Sequence, residues 1–283
     1  MSAGVFAAVL LAALLHAGWN ALVKGGADKH AAMTAVVLGH LPVAALVLAF
    51  VPPPDPASYP WLAGGIVIHL AYQSLLVAGY RAGDLTQVYP IARGVAPLIV
   101  AAVSVWAMGV TLSEGELVAI GLIACGILSL ALVRRTDGGR NPRAVALALG
   151  TGACIAAYSL VDGTGARIAG TALGFWSWAA IGNAAAFLAM TAAIRPAAIR
   201  ALRDRRKALL GLAGGTASYV AYAIVVWAFT QAPIALVTAL RETSIAFALL
   251  IGVGLMGERL DLRKVASTAL ALMGAVLLRL ARP

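Results

Sequence analysis

Ten apolar stretches, each about as long as a bilayer is thick, follow one another along the chain. They constrain its fold more than any other feature. They cover residues 4–23, 31–51, 61–80, 85–109, 117–133, 143–162, 172–194, 208–230, 234–256 and 265–280. A helix needs ~20 apolar residues to cross a hydrocarbon core ~30 Å thick, and lipid admits only helices and closed barrels because it satisfies no backbone polar group. No alternating strand pattern is present, so the expected fold class is all-α, a polytopic membrane protein with ten transmembrane helices. The breaks (GGADKH, PPPDPASYP, RRTDGGRNP, RPAAIRALRDRRK) are rich in turn and basic residues and leave no room for a soluble domain. Composition agrees: 11% of residues are charged, against about 25% in ordinary soluble domains. No positive charge precedes the first stretch, and its apolar run exceeds a signal core, so it is expected to be a retained span.

The net charge of +10 suggests a nucleic-acid partner only until its placement is read. Of 21 Lys and Arg, 16 lie in the odd-numbered connections. Arg93 and Arg241 lie within spans, and Arg167, Arg279 and Arg282 make up the rest. Basic residues of short loops stay cytoplasmic. The expectation is therefore a bacterial inner membrane protein with odd-numbered loops inside, both termini periplasmic, a lipid bilayer as solvent and no nucleic acid. Cys125 and Cys154 lie inside spans without metal-type spacing and read as small packing residues.

The chain also repeats itself. Arg93 aligns with Arg241, Gly109 with Gly257, Gly126 with Gly274 and Leu130 with Leu278, all at an offset of 148. Further upstream Tyr72 aligns with Tyr222 at an offset of 150. This divides the chain into halves at 1–135 and 143–283, with five spans each. Five is odd, so the halves must insert with opposite orientation. Inverted repeats recur in secondary transporters, where the substrate site lies at the repeat interface near the midplane.

LLHAGWNALVK at 14–24, QVYPIARGVAP at 87–97, ALRETSIAFALL at 239–250 and MGERL at 256–260 resemble the EamA-type transporters of the drug/metabolite transporter superfamily. The resemblance covers nearly the whole chain. Units of that family end with a Gly-Glu pair between their last two helices. The second half has it as Gly257-Glu258, and the first departs with Gly109-Val110. The best-matching activity implied is amino-acid and metabolite export, as in YddG-like exporters.

Ionisable residues within spans are costly and mark functional candidates. His16, Trp19 and Asn20 fall at i, i+3 and i+4 on span one, and His69, Tyr72 and Gln73 repeat the pattern on span three. Tyr158 stands on span six, Trp176 with Asn183 on span seven, and Tyr219 with Tyr222 on span eight. Such faces line a cavity or hydrogen-bond between helices. Trp178 points away and reads as lipid-facing. Asp162 falls near the outer end of span six, where solvation is expected. Arg93, one turn after Tyr89, sits ~12 Å into span four at 1.5 Å per residue, and Arg241 sits at a similar depth in span nine beside Glu242. Both arginines either orient substrate or pair with Glu242 and freed carbonyls. Pro90, Gly94 and Pro97 predict a kink in span four.

Two acidic residues in spans against two arginines disfavour a site for cations. An arginine grips a carboxylate bidentately, and aromatic faces receive an ammonium group. The residues therefore point to a secondary transporter exporting amino acids or similar small metabolites by alternating access. Spans one, three, four, six, eight and nine are expected to line the cavity, with five and ten outside it. His16, His69 and Glu242 are candidates for a coupled proton, and facilitated diffusion is equally allowed. The alternative is a carrier of drugs or of other metabolites such as nucleotide sugars. An intramembrane enzyme would need a nucleophile–base pair or metal cluster, and no HExxH, GxSxG or Cys/His ligand spacing is found. A channel would need a Gly-rich filter or an acidic ring. No metal or other cofactor is expected, and the chain reads as a monomer.

Overall fold

The computed structural model describes residues 1–24, 28–83, 85–130, 141–254 and 262–281, and all regular structure among them is helical. The MGERL stretch and the basic connection at 131–140 lie outside the described residues. Helix α1 spans Ala3–Lys24. Asp28 caps α2, Lys29–Gly39, by accepting from the backbone N–H groups of His30 and Ala31. Span two then breaks at His40, and α3 runs Leu41–Leu48 with Pro42 in its first turn. Proline has no N–H to continue the ladder, so the break falls there. Helix α4 covers Tyr59–Ala82, α5 Leu85–Trp106 and α6 Glu114–Leu130. A reciprocal capping box opens α6: Ser113 N–H donates to Glu116 Oε2 at 2.9 Å, and Glu116 N–H to Ser113 Oγ at 3.3 Å.

Helix α7, Pro142–Ile168, starts at the N-cap Asn141, whose amide nitrogen also donates to the Ala82 carbonyl at 2.6 Å. Helix α8 spans Ala172–Ile194, and the short α9 spans Pro196–Arg200. Helix α10 runs Arg205–Gln231, α11 Ile234–Arg241, α12 Ser244–Gly254 and α13 Leu262–Leu280. Among the described residues, eight segments are long and apolar enough to cross a membrane, with α2–α3 and α11–α12 each counted as one. The all-helical, multi-pass character read from the sequence is thus present. Helix α6 is one turn shorter than the usual span at 17 residues, and α13 carries Arg263, Lys264 and Arg279 at its ends.

The helices pack through small residues, as expected where lipid provides no hydrophobic drive between helices. Helix α10 lies on α1 and α2, α7 on α4 and α5, and α6 on α13. A Cβ on Gly215 would strike the Val36 carbonyl and Gly39, and one on Gly152 would strike the Ala92 carbonyl. In the α6–α13 pair, Gly126 faces Ser267 and Ala271, while Gly274 faces Ala119 and Ile123.

Span four, with two prolines inside it, is not the span that breaks. Helix α5 runs without interruption through Pro90 and Pro97. The break instead falls in span nine, between α11 and α12, which holds no proline. There the N–H groups of Glu242 and Thr243 turn back to the carbonyls of Ala239 and Leu240 at 3.1 Å each. The Thr243 hydroxyl donates to the same Leu240 carbonyl at 2.7 Å. A side-chain hydroxyl competing for a carbonyl in this way loosens a helix without proline.

Candidate functional site

Facing helices line a cavity of about 80 Å³. At ~10–15 Å³ per water centre it holds several waters. Helix α1 contributes His16 and Trp19, whose rings meet edge to face at 5.3 Å. Helix α4 contributes His69, Tyr72 and Gln73; α5 contributes Arg93; α7 contributes Tyr158; α10 contributes Tyr222; and α11 contributes Arg241. Helices α2 and α8 also line it, through Met33, Val36 and Val37 and through Trp176 and Asn183, with His40 at the α2–α3 break. Span two was not expected there; its lining residues are mostly aliphatic, so no polar periodicity marked it. On span seven the sequence singled out Trp176 with Asn183, and both line the cavity.

One wall is aromatic. Tyr222 meets Trp176 at 4.6 Å and Tyr158 at 5.7 Å, both nearly perpendicular, and Tyr158 meets Tyr72 edge to face at 5.4 Å. Edge-to-face contact brings the positive edge of one ring onto the negative face of the next. Arg241 lies over the rings of Tyr158 and Tyr222 at 5.9 and 5.8 Å.

Beside these rings lies an ionic cluster. Glu242, 1% exposed, lies with Oε2 2.6 Å from Arg93 Nε and with Oε1 3.6 Å from Arg241 Nη2. Arg93 also donates to Ser244 Oγ at 3.4 Å. The adjacent Arg241 and Glu242 therefore do interact, because the helix ends between them and frees their directions. Two guanidinium groups share one carboxylate, which leaves a net positive charge beside the cavity. Nε and Nη2 of Arg241 have no hydrogen-bond partner, nor does Oδ1 of Asn183 or Oε1 of Gln73. Buried polar atoms without partners are costly, so these are groups a polar guest can satisfy.

Four residues singled out in the sequence lie beside the cavity rather than at its surface. The Asn20 amide turns back to the His16 carbonyl of its own helix at 2.7 Å. Tyr219 backs the aromatic wall: its hydroxyl lies 2.5 Å from Ser177 Oγ, and its carbonyl accepts from Trp176 Nε1 at 3.2 Å. Tyr89 lies under the Arg93 guanidinium at 5.8 Å. Glu242 stands behind the two arginines. Trp178 is exposed, as a lipid-facing side chain would be.

Asp162 is the residue that sequence reasoning undervalued. It is not solvated but fully buried. Its Oδ2 accepts from His69 Nε2 and from the Tyr222 hydroxyl, both at 2.8 Å. The available signal was the alignment of Tyr72 with Tyr222 opposite a carboxylate one turn beyond Tyr158. It was masked by the depth assigned to Asp162 near a span end.

Residues 142–280 match the model of the EamA-like transporter family. The second half of the chain therefore carries an EamA-like unit, in a family whose members are membrane transporters. No curated protein matches the chain. A crystal structure of a protein 18% identical superposes with a TM-score of 0.74 over 99% of this chain and 98% of that one, a likeness of fold.

Proposed function

We propose that the whole chain is a secondary transporter that exports amino acids or closely similar small metabolites by alternating access between two inverted five-helix halves. The observation that carries the substrate reading is Arg241. It is a buried guanidinium with unpartnered N–H groups, aimed into a cavity walled by Tyr72, Tyr158, Trp176 and Tyr222. A carboxylate satisfies such a guanidinium, ring faces receive the ammonium group, and the amides of Gln73 and Asn183 serve either end.

Symmetry of packing supports the inverted halves. Gly126 faces residues 267 and 271, and Gly274 faces 119 and 123; adding 148 to each member of the second set gives the first. The contacts of α4 with α7 and of α1 with α10 are likewise exchanged by the repeat. An interface that maps onto itself in this way lets the halves trade conformations at equal cost.

In the proposed orientation the even-numbered connections face the periplasm. We infer that this side is the closed one, because every residue of α11 is buried. Arg167 also bridges to the Phe229 and Ala232 carbonyls at 2.8 Å each. The test is efflux from proteoliposomes loaded in turn with amino acids, nucleotide sugars and organic cations. Efflux of amino acids is expected, with a KM raised tenfold or more in Arg241→Lys, which keeps the charge but not the fork. Flux confined to nucleotide sugars or cations overturns the substrate class, and absence of any flux overturns transport.

A further inference from the structure

We infer that Asp162 and His69 together form a proton-binding site in the wall between the cavity and its closed end, and that proton loading holds that end shut. His69 Nε2 and the Tyr222 hydroxyl converge on the same oxygen, Oδ2, at 2.8 Å each. Oδ1 has no hydrogen-bond partner. It lies against Gly65, where an added Cβ would come within 2.6 Å of it. A carboxylate is thus packed with two donors on one oxygen and none on the other, with no room at Gly65 for a side chain.

Among the described residues no lysine or arginine pairs with this carboxylate. From α4 the carboxylate faces His69, and from α10 Tyr222. On α7 itself the nearby titratable group is Tyr158, stacked on His69 at 4.3 Å and 17° and meeting Tyr72 of α4. From α8 comes Trp176, which is uncharged, and His40 lies beyond it, 6.0 Å from the Trp176 ring. The cation of α11, Arg241, lies over the Tyr158 and Tyr222 rings at 5.9 and 5.8 Å and is shared with Glu242. Arg93 of α5 is committed to Glu242.

A wholly buried carboxylate without a cation is expensive. One proton on the pair, carried as imidazolium beside carboxylate or as imidazole beside carboxylic acid, removes that charge. With the charge removed, His69 and the Tyr222 hydroxyl hold α4 and α10 to α7 at one oxygen without a buried net charge. Opening the closed end admits water, which can solvate the bare carboxylate, so proton release and opening are linked and each favours the other. The step is a proton transfer between the pair and water, with no other reactant.

The role in the cycle rests on the transport reading, but the site can be tested without it. Trp176 lies 5.8 Å from the His69 ring and reports its charge. The purified full chain in detergent is titrated from about pH 5 to 9, the range in which imidazoles change charge, while tryptophan fluorescence is read. A reversible transition is expected. It should be lost in His69→Gln and in the reporter control Trp176→Phe, and displaced by at least one pH unit in Asp162→Asn. Asp162→Glu, which keeps the acid, should retain the transition if Asp162→Asn fails to fold. A transition that is absent in the wild type, or unmoved in Asp162→Asn, overturns the site. In proteoliposomes showing flux, an imposed pH gradient should alter wild-type efflux severalfold and Asp162→Asn efflux not at all. A titration that survives where no amino acid is carried overturns the transport reading alone.

Discussion

At the residue scale the decisive feature is that Glu242 is outnumbered. It neutralises Arg93 at 2.6 Å and leaves Arg241 half-compensated at 3.6 Å, which is what turns a structural ion pair into a guest site. Removing one member of a buried pair strands the other charge. Arg93→Ala is therefore expected to destabilise by about 3–5 kcal/mol, seen as a lower Tm in detergent. Glu242→Gln should cost at least as much, because it leaves both Arg93 and Arg241 buried without their shared carboxylate. If Arg93→Ala unfolds like the wild type, the pair is not as desolvated as its burial indicates. Arg93 and Arg241 were legible in the sequence as arginines at matching depth, but their sharing of one carboxylate was not. It depends on a helix end between Arg241 and Glu242 that no proline or glycine announced.

At the element scale, caps and small residues set where helices stop and how closely they approach. Asp28 caps α2 through two backbone N–H groups and lies 3.5 Å from Arg195. Partial burial favours its neutral form, but the N–H groups of Ala31 and His30 and the Arg195 guanidinium outweigh this and hold the Asp28 carboxyl below its ordinary value. Its folded-state pKa is thus the lower one. The stability it contributes is complete above the unfolded value and is lost as pH falls through the folded one. Asp28→Ala should cost about 1 kcal/mol near neutral pH, and its Tm difference from the wild type should vanish as pH falls below about 4. In the α6–α13 pair, Gly126→Leu and Gly274→Leu should each lower Tm and flux to a similar degree, since a side chain at either position strikes the partner backbone. Loss in only one variant would break the equivalence of the two faces. The uninterrupted course of α5 through two prolines was not readable from the sequence, because proline in a helix signals a break that tertiary packing can override.

At the scale of the whole molecule, the excess of Lys and Arg in the odd-numbered connections predicts both termini outside the cytoplasm. A C-terminal fusion to a reporter active only outside should therefore be active, and one active only in the cytoplasm should be silent. The reverse result rejects the orientation and with it the assignment of the Arg167 end as periplasmic. By itself the sequence determined the lipid environment, the helical class and the long-range echo of one half in the other. Those follow from run length, charge placement and residue identity at fixed offsets, which are properties of the chain in one dimension. Only the tertiary structure decided that span two reaches the cavity, that span nine rather than span four is broken, and that Asp162 is buried between His69 and Tyr222. Each of these depends on which face of one helix meets which face of another. That choice is made by the close approach of backbones at Gly39, Gly152 and Gly215, and no periodicity within a single helix records it.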